Sequence, residues 1–413
     1  MTPTRNKHLF ALAGMATLAL LQPAMALDAQ SFVDRVEAIY EPLGYELSFG
    51  ETTLTGDTIE AKDVRIGVGG TAGEAAPYSV TTDITFSGVS ELPDGAYIAE
   101  TVTLPDIDAD FADDPVGHLT LKDVRLEGFY LPAGETVSSA AVLQLVRAIK
   151  TGPMTVTRDG EQVASVSSME AVSSFNPQPG TGPLVDLTST LEISGIDLDL
   201  SSMQDEDPEA AADIEALGLT QVQGDVSQSM SWSMADGHLV VDKFLFDFAD
   251  VGALDLSFDL LGVTPALMDK LGKAQAATEA QGYAPDSKEA QAAQMMMGME
   301  LLQGVTLVSA SISYDDASLA DKSLDLYAQK QGVERAQLVE GLKASLPQML
   351  AGTGVPALAD LVTAPVSAFL DDPQSLEIAV QPASPATLLV LTAAAANPAG
   401  LLSMLGLTVT ANQ

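Results

Sequence analysis

Residues 237–248 read GHLVVDKFLFDF, a β-strand pattern that changes phase halfway along. Leu239 and Val241 set one parity, Asp242 and Lys243 intervene, and phenylalanines then follow at the other parity, at 244, 246 and 248. Successive strand residues point to opposite faces, so an uncorrected slip would turn the phenylalanines away from the apolar side. An inserted residue, called a β-bulge, restores the facing. The stretch therefore predicts a long strand that is bulged at its centre.

The same interrupted alternation recurs along the chain. The other copies lie at 59–66, 97–104, 119–126 and 191–198. The residues at each slip are polar or glycine, which suits an unpaired bulge position, and two copies share the tetrapeptide Lys-Asp-Val-Arg, at 62–65 and 122–125. We expect long antiparallel strands, each bulged near its middle, that keep one face apolar throughout. Two short strands joined by a tight kink are the alternative for each copy.

Other segments alternate without interruption. In residues 254–260, leucine and phenylalanine at even positions oppose aspartate and serine at odd positions. One-sided alternation is typical of an antiparallel sheet with one wet and one dry face. Helical patterns interrupt the strands at 138–150 and dominate from residue 263. We therefore predict an α+β fold, with long bulged antiparallel strands in a strongly coiled sheet or half-barrel and a C-terminal helical block packed on one face.

The chain divides into three parts by pattern. Residues 1–26 have the features of a signal peptide: Arg5 and Lys7 precede the apolar run LFALAGMATLALL, and a small-residue motif ends at Ala26. We expect cleavage after Ala26 and a periplasmic location. Residues 27–262 form a β-rich region. Residues 263–413 form a helix-rich region, whose few strands complete the same sheet.

Charge and residue usage exclude several classes of function. Against 57 acidic residues stand 18 basic ones, for a net charge of −39, and this field opposes binding to nucleic acid and to anionic membrane surfaces. The chain has no cysteine, which excludes disulfides and thiolate chemistry. Of three histidines one lies in the leader, so a His-based catalytic or metal site would need both of the others.

One acidic segment is a candidate calcium site. Asp106, Asp108 and Asp110 occupy every second position, so in a strand their carboxylates share a face and offer the oxygen ligands that Ca²⁺ prefers. The EF-hand pattern fails, because Phe111 stands where the loop needs glycine and Gly117 stands where it needs glutamate. The alternative is a solvated strand face in a very acidic protein.

A methionine cluster is a second candidate. Met295, Met296, Met297 and Met299 lie in a helical pattern. Three interpretations are open: plain packing of the helix against the sheet, an adaptable ligand-facing wall, or thioether ligands for Cu(I).

Motifs for catalysis are missing from the sequence. It contains neither G-x-S-x-G nor S-x-x-K, no P-loop pattern, and no dinucleotide fingerprint after a strand. We therefore expect a protein that is not an enzyme and has no cofactor. A hydrolase that uses a pair of carboxylates stays as a less favoured alternative, because acidic residues are everywhere.

The repeats at 59–66, 119–126, 191–198 and 239–246, together with the hairpin sequence DFADVGALDLSFDL, resemble the AsmA-like and related β-rich envelope proteins of Gram-negative bacteria. The likeness spans residues 44–262. The chain departs from that pattern in lacking a retained membrane anchor and in having the helical C-terminal block. The resemblance implies a coiled sheet with an apolar trough, an association with envelope lipid handling, and no catalytic residues.

These observations predict a soluble periplasmic protein without catalytic activity, which binds a lipid-like hydrophobic ligand or an envelope partner in an apolar trough. An envelope assembly factor that acts through protein contacts, such as edge-strand addition, is the alternative. A filled core between sheet and helices is an equally good explanation of the same apolar residues. The predicted lining consists of Phe244, Phe246, Phe248, Leu254, Leu256, Phe258, Met295, Met296 and Met299.

Overall fold

A computed structural model describes eight stretches of the chain. They are residues 27–68, 78–113, 116–134, 139–201, 208–280, 287–352, 355–394 and 397–413. The expected signal peptide and its cleavage after Ala26 lie outside the described residues.

Strands dominate the part of the chain before residue 263. They are β1 (Tyr45–Ser48), β2 (Thr52–Thr55), β3 (Thr58–Val68), β4 (Tyr78–Ser87), β5 (Ser90–Glu91), β6 (Tyr97–Thr103), β7 (Ile107–Asp113), β8 (Val116–Leu121), β9 (Arg125–Leu131), β10 (Val146–Thr151), β11 (Met154–Arg158), β12 (Glu161–Val166), β13 (Ser168–Asn176), β14 (Asp186–Asp199), β15 (Gln221–Ser233), β16 (His238–Phe248) and β17 (Gly252–Leu261). In the described residues of this part, three α-helices accompany them, α1 (Ala29–Tyr40), α2 (Ser139–Val142) and α3 (Pro208–Leu217), and a short 3-10 helix at Glu41–Leu43 follows α1.

Helices dominate the remainder. They are α4 (Pro265–Ala280), α5 (Lys288–Gly304), α6 (Leu319–Gln331), α7 (Arg335–Ala351), α8 (Pro356–Asp371), α9 (Leu388–Ala394) and α10 (Pro398–Leu405). Four strands alternate with them: β18 (Thr306–Asp316), β19 (Ser375–Val380), β20 (Ala386–Thr387) and β21 (Thr408–Ala411).

All strands belong to one antiparallel sheet, which stays open within the described residues. β1 and β2 both pair with β3, and from there the main order runs β3, β4, β6, β9, β10, β13, β14, β15, β16, β17, β18, β19, β21. A side branch of β7, β8, β11 and β12 joins the main sheet at β14. The predicted α+β class with an antiparallel sheet and C-terminal helices is confirmed.

Three of the five predicted bulges are present where the alternation slips. The pairing register shifts between Ala61 and Val64, between Ile193 and Ile196, and between Val241 and Phe244. In each case the apolar residues before and after the shift face the same side of the sheet. The phase change in residues 237–248 is therefore a bulge in one strand.

The two other copies differ from the prediction. At 119–126 the chain forms two strands, β8 and β9, separated by residues 122–124. For this copy the alternative prediction, two short strands joined by a kink, is therefore confirmed. At 97–104 the register between β6 and β9 does not shift. The partner strand is irregular at the same level, because Gly128 has a positive φ of 62° and neither it nor Glu100 is in the pairing register. Irregularities on both strands cancel, and the register is kept.

The predicted helix at 138–150 is wrong over most of its length. α2 covers only Ser139–Val142, and β10 follows at Val146–Thr151. β10 pairs with β9 on one side and with β13 on the other. The tertiary pairing of two flanking strands outweighs the weak helical periodicity of this segment.

The bulges preserve two distinct faces across the whole sheet. Cross-strand partners share a face, so the register defines a row across the sheet. On one side, which we call the apolar face, this row consists of Ile59, Phe86, Val102, Leu126, Ile149, Ala171, Leu191, Gln228, Phe244, Leu256, Ile312, Ile378 and Val409. The neighbouring row on the opposite face consists of Glu60, Thr85, Thr103, Arg125, Lys150, Glu170, Glu192, Ser227, Leu245, Asp255, Ser313, Glu377 and Thr410. Twelve of these thirteen are polar.

Helix α1 covers the first part of the apolar face. Asp28 caps the helix by accepting from the Ser31 N–H at 2.7 Å. Phe32 has no exposed surface, and its ring packs edge-on against Phe86 and Tyr97, with centroid distances of 4.9 and 5.5 Å. The main hydrophobic core therefore lies between α1 and strands β3, β4, β6 and β9.

The C-terminal helices pack mainly on one another and on the last strands. α8 packs on β19, β21, α7 and α10, and α9 packs on β20, α5 and α10. Strands β16 and β17 have their extensive contacts with each other and with β15 and β18. The part of the apolar face that these two strands carry is therefore not where the helical block packs most closely. No helix in the described stretches has the length and apolar character to cross a lipid bilayer.

Candidate functional site

The predicted lining residues of β16 and β17 lie together on the apolar face. Phe244 is paired with Leu256 and Phe246 with Leu254, and the rings of Phe244 and Phe246 are 4.6 Å apart between centroids. Phe248 and Phe258 share this face. All six side chains are half-buried, neither enclosed in a core nor fully in solvent.

The burial of the apolar face changes along the sheet. Under α1, Ile59 and Phe86 are 0% and 2% exposed. Further along the same row, Ile149, Ile312 and Ile378 are 38%, 42% and 41% exposed. We call the uncovered part the open strip and define it by Leu191, Ile193, Phe244, Phe246, Leu254, Leu256, Ile312 and Ile378.

A second small core flanks the open strip along strands β13 to β16. Leu187, Trp232 and Phe175 are buried there, and Leu239 of β16 packs against them. The Trp232 indole N–H donates to the carbonyl of Val263 at 2.7 Å, which satisfies the only polar group of that ring. The strip is therefore flanked on this side by packed, apolar residues.

A tyrosine lies near the β19 end of the open strip. Tyr314 lies on the apolar face, between Leu254 and Leu376, and its hydroxyl donates to the carbonyl of Val251 at 2.5 Å and lies 2.8 Å from Asp316 Oδ1. Burial, together with the bond to Asp316 and its charge, raises the pKa of Tyr314 above its usual range. The phenol therefore stays neutral and acts as a polar terminus to the strip.

The methionine segment lies elsewhere. Met295, Met296 and Met299 are on α5, 72%, 72% and 41% exposed, and they line a groove between α4 and α5 of about 520 Å³. α5 packs on α4, α9 and β20. The predicted single wall of phenylalanines and methionines is therefore two separate surfaces, because α4 and α5 extend as a helical pair between β17 and β18.

The three aspartates of the candidate calcium site contact other protein groups. Asp106 accepts the backbone N–H of Asp123 at 3.2 Å. Asp108 and Asp110 flank His118, with distances of 3.2 Å to Nε2 and 2.8 Å to Nδ1. In the described residues no group of three or more His, Asp or Glu side chains is arranged to hold a metal ion. The alternating sequence correctly predicted that Asp108 and Asp110 share a face. It did not predict that His118 lies between them.

A polar groove of about 570 Å³ lies over β14, β15 and β16. Asp225 and Asp247 are direct cross-strand partners in it. Asp225 accepts the backbone N–H of Gly195 at 2.8 Å, and nearby Asp197 accepts from the Gln223 amide at 2.8 Å. Two of these three carboxylates thus bind neighbouring protein groups. This geometry does not identify a pair of carboxylates for acid–base catalysis. The hydrolase alternative therefore stays a prediction.

Sequence reasoning missed the residues that extend the strip beyond β16 and β17. Leu191, Ile193, Ile312 and Ile378 belong to it only through the cross-strand register. Their local signal was present, since Ile312 and Tyr314 alternate with serine and aspartate, and Leu376, Ile378 and Val380 also alternate. What the sequence lacked was the order in which these strands pair.

The comparisons with known proteins bear on the C-terminal part of the chain. A family model described as "Uncharacterized protein" matches residues 245–412. The match begins within β16 and ends in the last strand region, so it crosses the change in pattern at residue 263. No curated protein matches the chain.

Proposed function

We propose that this chain is a non-catalytic binding protein of the bacterial envelope, which holds an extended, lipid-like apolar ligand on the open strip. The observation that carries the proposal is the change in burial along one register row. The same apolar face that α1 seals at Ile59 and Phe86 leaves Ile312 and Ile378 about two-fifths exposed. Large continuous apolar patches on a protein surface mark sites of interaction.

The shape of the strip favours a chain-like ligand. It crosses the strands from β14 to β19, which at roughly 4.8 Å per strand spacing makes a band about 24 Å long. A packed core flanks it beside Leu239, and Tyr314 lies near its β19 end. A long alkyl chain with a small polar group matches an apolar band of these dimensions.

The backbone of these strands argues against an added strand as the occupant. β14 to β18 each pair with strands on both sides, so their N–H and C=O groups are already bonded along the ladder. β-Augmentation needs a free edge. The open strip offers side chains alone, and the eight that define it are aliphatic and aromatic, with Gln228 as the polar member of the same row on β15.

The periplasmic location rests on the N-terminal pattern that ends at Ala26. A carrier of apolar ligands placed there would move them between membranes through an aqueous space. The absence of cysteine suits an oxidising compartment, because there is no thiol to mispair.

Native mass spectrometry of the protein gently purified from an envelope fraction tests the proposal. We expect co-purified mass of lipid-like molecules on the wild-type chain and its loss in the double variant Phe246→Ser, Leu256→Ser. The matched control is Leu245→Ser, because Leu245 is the apolar residue of the opposite, polar row. Protein that is always ligand-free, or equal loading of the double variant and the control, would overturn the proposal.

A further inference from the structure

The groove between α4 and α5 has two chemically different walls. The α5 wall consists of Met295, Met296, Met297 and Met299 with Glu300 and Gln303 beside them, and the α4 wall presents Lys270 and Lys273 beside Leu271 and Ala274. A mainly apolar surface thus faces two lysines across one open groove.

Two of the methionines are not needed for packing. Met295 and Met296 are each 72% exposed, so neither contributes much burial to the fold. Gly298, which lies within the cluster, has open space where a side chain would stand. Methionine side chains are flexible and polarizable and adapt to irregular apolar ligands. This wall is therefore suited to contact an alkyl chain of no fixed shape.

The lysines are the second observation. Lys270 makes a long contact of 3.4 Å to Glu300, with both side chains more than half exposed. Lys273 is exposed and has no ion-pair partner among the residues that the structure describes. What sets Lys273 apart is its place, since it lines the groove that the methionines form.

We infer that this groove binds a single-chain anionic amphiphile of the fatty-acid class. The alkyl chain lies on Met295, Met296 and Met299, and the carboxylate pairs with Lys273. The groove volume of about 520 Å³ is in the range typical of small-molecule sites. This site is separate from the open strip and does not depend on the function proposed for it.

Charge decides against a copper site in the same groove. Thioethers are soft ligands that select Cu(I). Two lysines and one glutamate, Glu300, line the groove, however, so its lining has a net positive charge that opposes a cation and attracts a carboxylate. The short-range attraction to Lys273 acts locally, whereas the repulsion from distant acidic residues is screened by salt.

Isothermal titration of the protein with dodecanoate below its micellar concentration tests the inference. Lys273→Gln should weaken one binding event by about fivefold, the size expected for an exposed ion pair. Met296→Gln should weaken the same event. Controls of the same chemistry away from the groove are Lys122→Gln and Met349→Gln, at an exposed lysine and at a methionine that is 68% exposed. The controls should bind as the wild type does.

Replacing all four cluster methionines by leucine separates the two chemistries. The leucine variant keeps the apolar wall and loses every thioether, so dodecanoate binding should persist. Loss of that binding, together with tight Cu(I) binding by the wild type, would overturn the inference in favour of a metal site. Unchanged binding in both Lys273→Gln and Met296→Gln would also overturn it.

The double variant of the open strip keeps the two proposals distinguishable. Phe246→Ser, Leu256→Ser should leave the Lys273-dependent binding event intact. Thermal unfolding of each variant checks that the fold is retained. Both groove positions are exposed, so we expect no change in the unfolding temperature.

Discussion

The backbone N–H of Gly195 donates a 2.8 Å hydrogen bond to the carboxylate of Asp225 on the next strand. Gly195 is the residue at which β14 slips, and its φ is 64°. A bulge removes a residue from the ladder and so leaves an N–H without a backbone partner. The neighbouring aspartate supplies the missing acceptor.

The same arrangement recurs at the other interruptions. The N–H of Asp63 donates to Asp83 at 3.1 Å, that of Asp123 to Asp106 at 3.2 Å, and that of Phe244 to Asp255 at 3.1 Å. Four of the aspartates in this acidic chain therefore have a structural role, as acceptors for irregular backbone. One of them, Asp106, belongs to the set of aspartates that the sequence offered for calcium.

We predict that Asp225→Ala lowers the free energy of unfolding by about 1 kcal/mol, because the Gly195 N–H loses its protein acceptor. The control is Asp247→Ala. Asp247 is directly opposite Asp225, and like charges in that position are destabilising, so its removal should be neutral or slightly stabilising. Urea unfolding midpoints of the two variants give the comparison. Equal losses would show that the Asp225 bond is not what matters.

We predict opposite effects for two substitutions at Asp63. Its φ of 51° lies in the left-handed region, where glycine is unstrained and a β-branched residue is not. Asp63→Gly should leave stability unchanged or raise it, and Asp63→Val should lower it by roughly 1–2 kcal/mol. Thermal unfolding measures both. The same pair at Asp123, with φ 54°, should repeat the order, and a reversed order at both positions would contradict the bulge geometry.

We predict an acid-labile contribution from Asp83. The hydrogen bond from Lys62 and then the one from the Asp63 N–H lower the pKa of Asp83 below its ordinary 3.8. A lowered folded-state pKa stabilises the fold above 3.8, and this contribution is lost as the pH falls through the lower folded value. Asp83→Asn should thus be less stable than wild type at neutral pH and equal to it in strong acid.

Urea midpoints between pH 2 and pH 7 measure that difference. The control is Lys62→Met, which removes the first partner of Asp83 and should reduce the pH-dependent part of the difference. A constant offset for Asp83→Asn across the whole range would contradict the assigned coupling to Lys62 and Asp63.

We predict unequal costs along the apolar face. Phe32→Ala should lower the free energy of unfolding by about 3–5 kcal/mol, because the ring is fully buried between Phe86 and Tyr97. Phe246→Ala should cost only about 1 kcal/mol, because Phe246 is half-buried. Chemical denaturation of both variants provides the test. Equal costs would mean that the strip is a filled core, the alternative to a binding surface.

The strands and their bulges could be read from the sequence because they depend on local parity. Apolar residues at every second position identify β16 and β17, and polar residues at the slip identify the bulges. The helical segment at 138–150 failed for the opposite reason. Val146–Thr151 is held as a strand by partners about twenty residues away on either side, which no local period shows.

For the candidate site, too, the sequence predicted what is local and missed what depends on distant contacts. The sequence identified Phe244, Phe246, Leu254 and Leu256 as members of one apolar face. It could not say that α1 would cover the face at Phe86 and leave it open at Ile312, because burial depends on where a distant helix packs. The sequence analysis also listed the methionines and the phenylalanines as one lining. The fold places them on separate elements, α5 and β16.

By itself the sequence determined which residues share a side of each strand, since a side-chain period of two is a local property of the extended backbone. Only the tertiary structure decided which strands are neighbours, which stretch of the apolar face stays uncovered, and which aspartates accept the bulge N–H groups. Those outcomes depend on packing and hydrogen bonds between segments that are far apart in the chain and meet only when it folds.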